Sequence, residues 1–444
     1  MFTKKESFFW QAVFWVAVYI LLTTLPLFLL FFDSTVAARG FWRDFSAALG
    51  FAGLAMMMLQ FVLTGRLQTV KAPFGSDLVY HFHREISQVA FWLVLAHPLI
   101  LFISTPSTLG LLNLAQAPWR ARFAVTSLVV LIIQVCSSRW RRKLRLEYDA
   151  WRFWHGVMAV AVIFFGMLHM IKVGHFVNQP WKQVLWIGYG AGWVSLLVYI
   201  RLIKPWLTLR RPYEVVSVTP ERGQAWSLRL RPRDHEGLRF SPGQFAWLTL
   251  WETPFLAKDH PFSFSAGPDP SGELRFTIKE LGDFTGTIKQ VQPGQKAYLD
   301  GPHGSFSIDR YPQAPGYVFI AGGIGVTPMM SMLQTLADRK DQRPLLTLLA
   351  NREESGITFK QELEGLEPRL NLQLKHVLEK PPENWSGESG FINQDILERY
   401  LPDNRQDLDY FICGPPPMMD AVEKALLKLG VHFGKIHTER FNLV

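Results

Sequence analysis

The sequence has 444 residues, enough for two or three domains, and its composition is 49% hydrophobic and 14% aromatic. This is too apolar for an ordinary soluble protein of that length, so we expect about half of the chain to lie in a membrane. The two cysteines, Cys136 and Cys413, are too few and too far apart for a disulfide framework or a sulfur-ligated iron cluster. The net charge of +9 does not predict a nucleic-acid partner, because many basic residues flank hydrophobic segments, where they orient a membrane protein.

Six apolar stretches predict transmembrane helices. The first, at 8–32, is much longer than the apolar part of a signal peptide, so we expect it to be retained. The other five follow at 45–65, 86–104, 123–138, 153–172 and 183–200. The amino-terminal part should therefore be an all-α six-helix transmembrane bundle surrounded by the lipid bilayer.

Basic residues predict the orientation of these helices. The connection at 139–145 carries four arginines and a lysine, and the segment at 201–211 carries Arg201, Lys204, Arg210 and Arg211. Because lysine and arginine concentrate in cytoplasmic loops, we expect both segments on the cytoplasmic side. The protein would then be a multi-pass protein of the cell (inner) membrane with both termini in the cytoplasm.

Two of the predicted helices carry histidines fourteen residues apart: His83 and His97 in one, His155 and His169 in the other. Fourteen residues turn a helix by roughly 40° less than four full turns and advance it by about 21 Å, so both histidines of a pair share a face. Imidazole ligates haem iron, and an ionisable residue within a membrane is usually functional. We therefore expect two b-type haems, one held by His83 with His155 and one by His97 with His169. The alternative is four unrelated histidines in apolar helices.

Beyond Pro212 the composition becomes that of a soluble protein. Alternating patterns predict strands of a small antiparallel β-barrel at 214–219, 226–231, 245–251, 273–279 and 296–299. From 317 onward, apolar strands alternate with helices, which predicts an α/β parallel sheet. We expect a multidomain membrane protein with boundaries at 1–208, 209–312 and 313–444.

Several short motifs occur in this soluble part. Gly322, Gly323 and Gly325 lie between a strand and a helix, where the lack of side chains lets a pyrophosphate approach backbone amides. The GGxG spacing alone is a weak signal. It is accompanied, in one order, by HPFSFS at 260–265, GDFT at 282–285, GPHG at 301–304, CGPPPMM at 413–419 and a terminal ERFNLV.

These motifs resemble those of a known family. HPFSFS looks like the flavin motif of the ferredoxin reductase superfamily in the form typical of NADPH oxidases and ferric reductases. AGGIGVTP and CGPP are similar to the family's nucleotide motifs, and the six spans with two His-x13-His helices are similar to its transmembrane domain. The resemblance covers nearly the whole chain. It implies an FAD-binding β-barrel followed by an NAD(P)H-binding α/β domain.

The resemblance also implies roles for individual residues. FAD would be bound by His260, Pro261, Phe262, Ser263, Gly282 and Thr285. NADPH, with NADH as a possible donor, would be bound by Gly322, Gly323, Gly325, Thr327, Gly414 and Pro415. For Phe262 and Phe264 the alternative is ordinary barrel core.

Three further residues have predicted roles at the site of hydride transfer or of nucleotide selection. Cys413 would line the nicotinamide side of a hydride path rather than act as a nucleophile. Phe441 occupies the place where the superfamily keeps an aromatic ring over the flavin; the alternative is a phenylalanine packed between domains. Arg352 follows a strand where its guanidinium could bind the 2′-phosphate of NADPH, although a solvated arginine next to Glu353 and Glu354 is the alternative.

The expected activity is an NAD(P)H oxidase that passes electrons from cytosolic NADPH through FAD and two haems to molecular oxygen outside, producing superoxide. The short outer connections favour this small acceptor, because they have no cluster of carboxylates, cysteines or histidines for an iron chelate. The first alternative is a ferric-chelate or periplasmic-protein reductase on the same scaffold. A haem-bearing membrane sensor or scaffold is the second. The sequence has no calcium-binding extension like that of some animal oxidases, so a compact form similar to the bacterial members fits best.

Overall fold

The computed structural model describes residues 4–31, 38–67, 75–256 and 258–441. Phe32, where the first predicted span ends, and the last three residues of the ERFNLV motif lie outside these ranges. The chain divides into two compact units, and the division falls between Lys204 and Pro205.

Among the described residues of the first unit, six helices are long and apolar enough to cross a membrane. They are α1 Lys4–Phe31, α2 Phe41–Thr64, α3 Ser76–Ser104, α4 Trp119–Arg139, α5 Tyr148–Val173 and α6 Pro180–Val198. After α6 a π-helical turn at Tyr199–Ile203 leads into α7, Lys204–Leu209. Each predicted span is therefore present, and most helices extend beyond the predicted ends because polar residues continue them.

Packing within this unit is close where small residues allow it. Helix α4 runs beside α5, and the Ser127 hydroxyl donates a hydrogen bond of 2.8 Å to the Val162 carbonyl. Gly166 packs against Leu54, so that a Cβ there would lie 3.1 Å from the leucine Cδ1. Large apolar side chains such as Ile103, which is 81% exposed, cover the outside of the bundle, as a lipid-facing surface requires.

The second unit begins with a curled antiparallel sheet, a half-barrel. Its strands are β1 Tyr213–Glu221, β2 Ala225–Pro232, β3 Phe245–Leu250, β4 His260–Ser263, β5 Leu274–Lys279 and β6 Lys296–His303, in the order β4-β3-β6-β1-β2-β5. An isolated bridge between Phe264 and Phe276 brings the two edges of the sheet together. Both phenylalanines are fully buried, so Phe264 belongs to the barrel core.

A parallel sheet follows in the same unit. Its strands are β7 Tyr317–Gly322, β8 Leu345–Asn351, β9 Leu372–Leu378, β10 Glu388–Ser389, β11 Asp409–Cys413 and β12 Ile436–Thr438, in the order β10-β9-β8-β7-β11-β12. The short helix α8, Asp283–Gly286, lies between β5 and β6 of the half-barrel. The helices that accompany the parallel sheet are α9 Val326–Asp338, α10 Lys360–Glu364, α11 Gln394–Tyr400 and α12 Pro416–Lys428. Separate apolar cores cover the two faces of this sheet, which is why β7 is buried along its whole length. The predicted fold class is confirmed.

Candidate functional site

The membrane helices bring the rings of His97 and His169 close together. Their ring centroids are 6.3 Å apart, and the ring planes are inclined by 57°. With a metal–nitrogen bond of about 2.0 Å on each side, two imidazoles that bind one metal ion from opposite directions have ring centres roughly 6.2 Å apart. The spacing of these two rings therefore suits axial ligation of a haem iron.

Hydrogen bonds fix which nitrogen of these two histidines is available. His97 Nδ1 lies 2.8 Å from the Ser46 carbonyl oxygen, and His169 Nδ1 lies 2.8 Å from the Arg120 carbonyl oxygen. A carbonyl only accepts, so both Nδ1 atoms carry the proton and donate. The unprotonated Nε2 is then left for a metal ion, which is the usual arrangement for a ligating histidine.

The other two histidines have side-chain partners at Nδ1. His83 Nδ1 lies 2.6 Å from Gln60 Oε1, and His155 Nδ1 lies 3.2 Å from Ser138 Oγ. His155 Nε2 is 3.5 Å from Gln134 Nε2, and its ring lies 5.2 Å from that of Trp151. All four predicted haem ligands thus have an oxygen atom next to Nδ1.

A haem site differs from a metal cluster held by several side chains. In the part of the chain that the structure describes, no group of three or more His, Cys, Asp or Glu residues could hold a metal ion. A haem would need only two imidazoles from the protein, so two histidines for each iron would be sufficient.

The predicted flavin residues lie on β4 and at the start of α8, where Gly282 precedes the helix and Thr285 lies within it. Strand β4 pairs with β3, and Ser263 is buried while Phe262 is half-buried. The His260 ring stacks on Phe284 with centroids 3.8 Å apart, and Phe262 is nearly parallel to Phe284 at 6.1 Å. Pro261 pairs with Trp247 at the edge of the sheet. This set of flat rings suits an aromatic cofactor.

Thr285 has a structural role that the sequence did not predict. Its hydroxyl accepts hydrogen bonds of 2.9 Å from the backbone N–H groups of Leu281 and Gly282, and it donates to the Gly282 carbonyl at 3.2 Å. These bonds close the turn that leads into α8. Gly282 and Thr285 both keep contact with solvent, so the turn remains accessible to a ligand.

The glycine-rich turn after β7 packs against the turn after β11. A Cβ at Gly325 would lie 2.3 Å from the Cys413 carbonyl oxygen, and one at Gly322 would lie 2.7 Å from Pro415 Cδ. A Cβ at Gly414 would lie 2.9 Å from the Gly322 nitrogen. These three glycines are therefore required by the contact between the two turns.

Gly323 is different from its neighbours. Its φ of 55° is in the region that favours glycine. Among the described residues beyond its immediate chain neighbours, no atom lies within 4 Å of the position that a Cβ would take. Thr327, at the start of α9, is buried, and its hydroxyl donates to the Ile324 carbonyl at 3.0 Å. Of the four predicted residues of this turn, Gly323 is thus the one that faces open space, where a pyrophosphate could approach.

Cys413 is buried at the end of β11. Burial, and next the negative charge of Glu439, raise the pKa of the Cys413 thiol well above its ordinary value. The thiolate is the reactive form of cysteine, so the protonated thiol at this position is a poor nucleophile. Glu439, the first residue of the terminal ERFNLV motif, is itself buried, and its Oε1 would lie 2.8 Å from a Cβ at Gly304.

The remaining two predicted residues are Phe441 and Arg352, which are less buried than Cys413. The Phe441 ring contacts the Phe245 ring edge-on, with centroids 5.6 Å apart, and is half-buried against the core of the parallel sheet. Arg352 is exposed immediately after β8, and its carbonyl accepts a hydrogen bond from the Lys380 N–H at 2.8 Å. The guanidinium is thus accessible to a ligand.

Ser46, Gln60 and Ser138 were not identified from the sequence. A glutamine within an apolar helix is a signal that could have been used, because polar residues in membrane helices usually face the interior of a bundle. The Arg120 carbonyl could not have been found, since every residue has a carbonyl.

Two family models match the chain. Residues 49–166 match the ferric reductase like transmembrane component, and residues 319–424 match the oxidoreductase NAD-binding domain. The first range contains His83, His97 and His155 but ends three residues before His169. The second runs from Phe319, within β7, to Lys424, within α12.

Several curated proteins and solved structures are similar to part of this chain. The stachydrine N-demethylase reductase subunit Stc4 of Rhizobium meliloti (strain 1021) is 30% identical over 236 residues, which are 52% of this chain and 66% of that protein. The NADH-cytochrome b5 reductase 1 of Debaryomyces hansenii is 32% identical over 176 residues, 38% of this chain and 60% of that protein. The flavohem-like FAD/NAD-binding domain of nitric oxide dioxygenase from Vibrio cholerae O1 biovar El Tor is 25% identical, with a TM-score of 0.46, and the match covers 52% of this chain and 97% of that domain. The matched part of the chain covers less than two thirds of the length of either curated relative.

Proposed function

We propose that this protein is a superoxide-forming NADPH oxidase. The chain joins a ferric-reductase-like transmembrane domain to an FAD/NAD-binding domain of the ferredoxin-reductase type. This is the architecture of NADPH oxidase/ferric reductase family proteins. Electrons would pass from cytosolic NADPH through FAD and two b-type haems to molecular oxygen on the outer side. Transmembrane electron transfer by an NAD(P)H oxidoreductase is the part of this function that the two family matches support directly.

The observation that carries the haem part of the proposal is the geometry of His97 and His169. Their rings are 6.3 Å apart, and each donates its Nδ1 proton to a backbone carbonyl. This arrangement leaves two Nε2 atoms to hold one iron. By the equal spacing of fourteen residues in α3 and α5, His83 and His155 would hold a second haem.

On the nucleotide side, the residues of the second unit would bind and orient the reactants. His260, Pro261, Phe262 and Ser263 of β4 would hold FAD, with Gly282 and Thr285 beside its phosphates. When bound, FAD supplies the step that takes a hydride from NADPH and releases electrons one at a time. Gly323 leaves room for the nucleotide pyrophosphate.

Cys413, Gly414 and Pro415 would line the nicotinamide side of this site. The protonated, buried thiol of Cys413 adds no charge to a hydride path, which suits a residue that only shapes the site. Phe441 lies beside Phe245 and would have to move aside for the nicotinamide ring to approach the flavin.

The acceptor is proposed from the connections predicted to be outside. The connection after α3 forms a short 3-10 helix at Pro106–Leu112, and the one between α5 and α6 has only a few residues. Neither of these described connections carries a carboxylate or a cysteine. A bulky ferric chelate would need a larger docking surface, whereas oxygen is small and uncharged.

The test is NADPH-driven reduction of cytochrome c by purified, haem-loaded protein, with and without superoxide dismutase and with and without oxygen. We expect activity that requires oxygen and is suppressed by the dismutase. The His97→Ala variant serves as a control, because it should still accept electrons from NADPH but should not reduce cytochrome c.

Two other outcomes would change the assignment. Activity that persists without oxygen and ignores the dismutase would indicate a ferric-chelate or periplasmic-protein reductase. A haem spectrum that NADPH does not change would indicate a haem-bearing sensor or scaffold.

A further inference from the structure

The four membrane histidines differ in what accepts their Nδ1 protons. His169 donates to the main-chain carbonyl of Arg120, and His97 donates to that of Ser46 at 2.8 Å, with the Ser46 hydroxyl oxygen also 3.0 Å from its Nδ1. For His83 and His155 the acceptors are only the side chains of Gln60 and Ser138. A side-chain acceptor can vary with the sequence, but a carbonyl is present whatever residue is there.

We propose that Gln60 and Ser138 are positioning residues that set the redox potential of the haem held by His83 and His155. This inference rests on the proposed function, since it requires that these two histidines bind a haem.

Gln60 is well placed for this role. It lies on α2, is 8% exposed, and its Oε1 is 2.6 Å from His83 Nδ1. Its amide nitrogen donates to the Met56 carbonyl at 3.4 Å, which orients the amide so that the oxygen faces the histidine. His83 must therefore donate from Nδ1.

The Ser138 hydroxyl is oriented by a similar constraint. It donates its one hydrogen to the Gln134 carbonyl at 2.7 Å, so only its lone pairs remain for His155 Nδ1 at 3.2 Å. His155 is then also a donor from Nδ1. Its hydrogen bond is longer than that of His83 and ends on a hydroxyl, so we expect its effect to be smaller.

The effect on the iron follows from the electron density of the imidazole. A good acceptor at Nδ1–H makes the ring more basic and its Nε2 a stronger donor to the metal ion. A stronger donor stabilises the oxidised, more positive iron, so the reduction potential falls. Loss of either acceptor should therefore raise the potential of this haem and leave that of the other haem unchanged.

The experiment measures both haem midpoint potentials in the full-length, haem-loaded protein by redox titration of the haem absorbance. We expect Gln60→Leu to raise one midpoint, Ser138→Ala to raise the same midpoint by less, and the other midpoint to stay at its wild-type value. Ser127→Ala is the matched control, because it removes a buried hydrogen bond between α4 and α5 that involves no histidine.

Haem content, measured on the same samples, distinguishes a failure of the proposed function from a failure of the roles of Gln60 and Ser138. A wild-type protein without two haems would overturn the proposed function itself. Two haems with midpoints that neither variant changes, or that Ser127→Ala changes as much, would overturn only the roles of Gln60 and Ser138. If Gln60→Leu does not assemble, Gln60→Met, which keeps the side-chain length, and Ser138→Ala, which removes one oxygen atom, decide the question.

Discussion

At the scale of single residues, two features suit the four membrane histidines to bind a metal ion. The fourteen-residue step places two of them on one helix face, and an oxygen atom that accepts from each Nδ1 leaves Nε2 as the unprotonated nitrogen. An unpaired imidazole inside a membrane would be costly, so these bonds also stabilise the helices before any metal ion is bound.

Replacing His97 by alanine should lower the haem content from two toward one per chain. The remaining haem would be held by His83 and His155, and flavin reduction by NADPH should continue because the second unit is unchanged. The measurement is haem per protein by absorbance, together with the rate of flavin bleaching. His81→Ala is a suitable control because His81 is exposed on the same helix. Two haems retained in the His97→Ala protein would show that His97 is not a ligand.

Replacing Arg352 by alanine should reduce the preference for NADPH over NADH. A guanidinium bound to the 2′-phosphate contributes about 1.5–3 kcal/mol, which corresponds to a loss of roughly 10- to 100-fold in kcat/KM for NADPH alone. Steady-state kinetics with both nucleotides measure the ratio. Lys428→Ala removes one exposed positive charge elsewhere and should leave the ratio unchanged. An unaltered ratio in the Arg352 variant would mean that this arginine is simply solvated.

At the scale of secondary-structure elements, the sequence predicts what depends on local patterns. All six membrane helices are predicted, but α3 begins at Ser76, ten residues before the predicted 86, because its first turns are polar and carry no hydropathy signal. Strand β4 is recognisable as a motif and not as a strand, since Pro261 argues against one. Pro261 is tolerated because β4 lies at the edge of the sheet, where a missing N–H group removes no hydrogen bond between strands.

The candidate site was predictable only in part for a related reason. The histidine spacing is a property of one helix, but Ser46 is 51 residues from His97 and Gln60 is 23 residues from His83. Such partners depend on how helices pack, which the pattern of one segment does not contain. The same holds for Gly325. The sequence predicts that this residue lies next to a phosphate, but it also has to be glycine because a Cβ would lie 2.3 Å from the Cys413 carbonyl oxygen.

The half-barrel and the parallel sheet are joined by an ion pair whose strength can be measured. Arg275 of β5 donates from Nη1 to both carboxylate oxygens of Glu362 on α10, at 3.0 and 2.9 Å, and the arginine side chain is only 14% exposed. A double-mutant cycle with Arg275→Ala and Glu362→Ala should give a coupling of about 1–3 kcal/mol in the free energy of unfolding. The exposed pair Arg231 and Glu273, within the half-barrel, should give only about 0.2–1 kcal/mol. Equal couplings for the two pairs would contradict a special role for Arg275.

At the scale of the whole molecule, the proposed activity requires a fixed direction across the membrane. NADPH is available in the cytoplasm, so the second unit has to be there. The short helix α7, which follows the last membrane helix, ends at Leu209, a few residues before β1 begins at Tyr213. The basic connection at 139–145 has to lie on the same side as that unit. An even number of membrane helices satisfies both requirements when the amino terminus is also inside.

This orientation predicts which positions a reagent can reach from outside. Ser107, in the connection after α3, and Lys143, in the connection after α4, are both exposed, so a cysteine at either position should react readily wherever the reagent has access. With a membrane-impermeant maleimide on spheroplasts, Ser107→Cys should be labelled directly, and Lys143→Cys only after the membrane is permeabilised. The wild-type protein is the control, because Cys413 is buried and Cys136 is only partly exposed within α4. Labelling of Lys143→Cys on intact spheroplasts would invert the orientation, and the second unit would then face away from the cytosolic NADPH that the proposed reaction consumes.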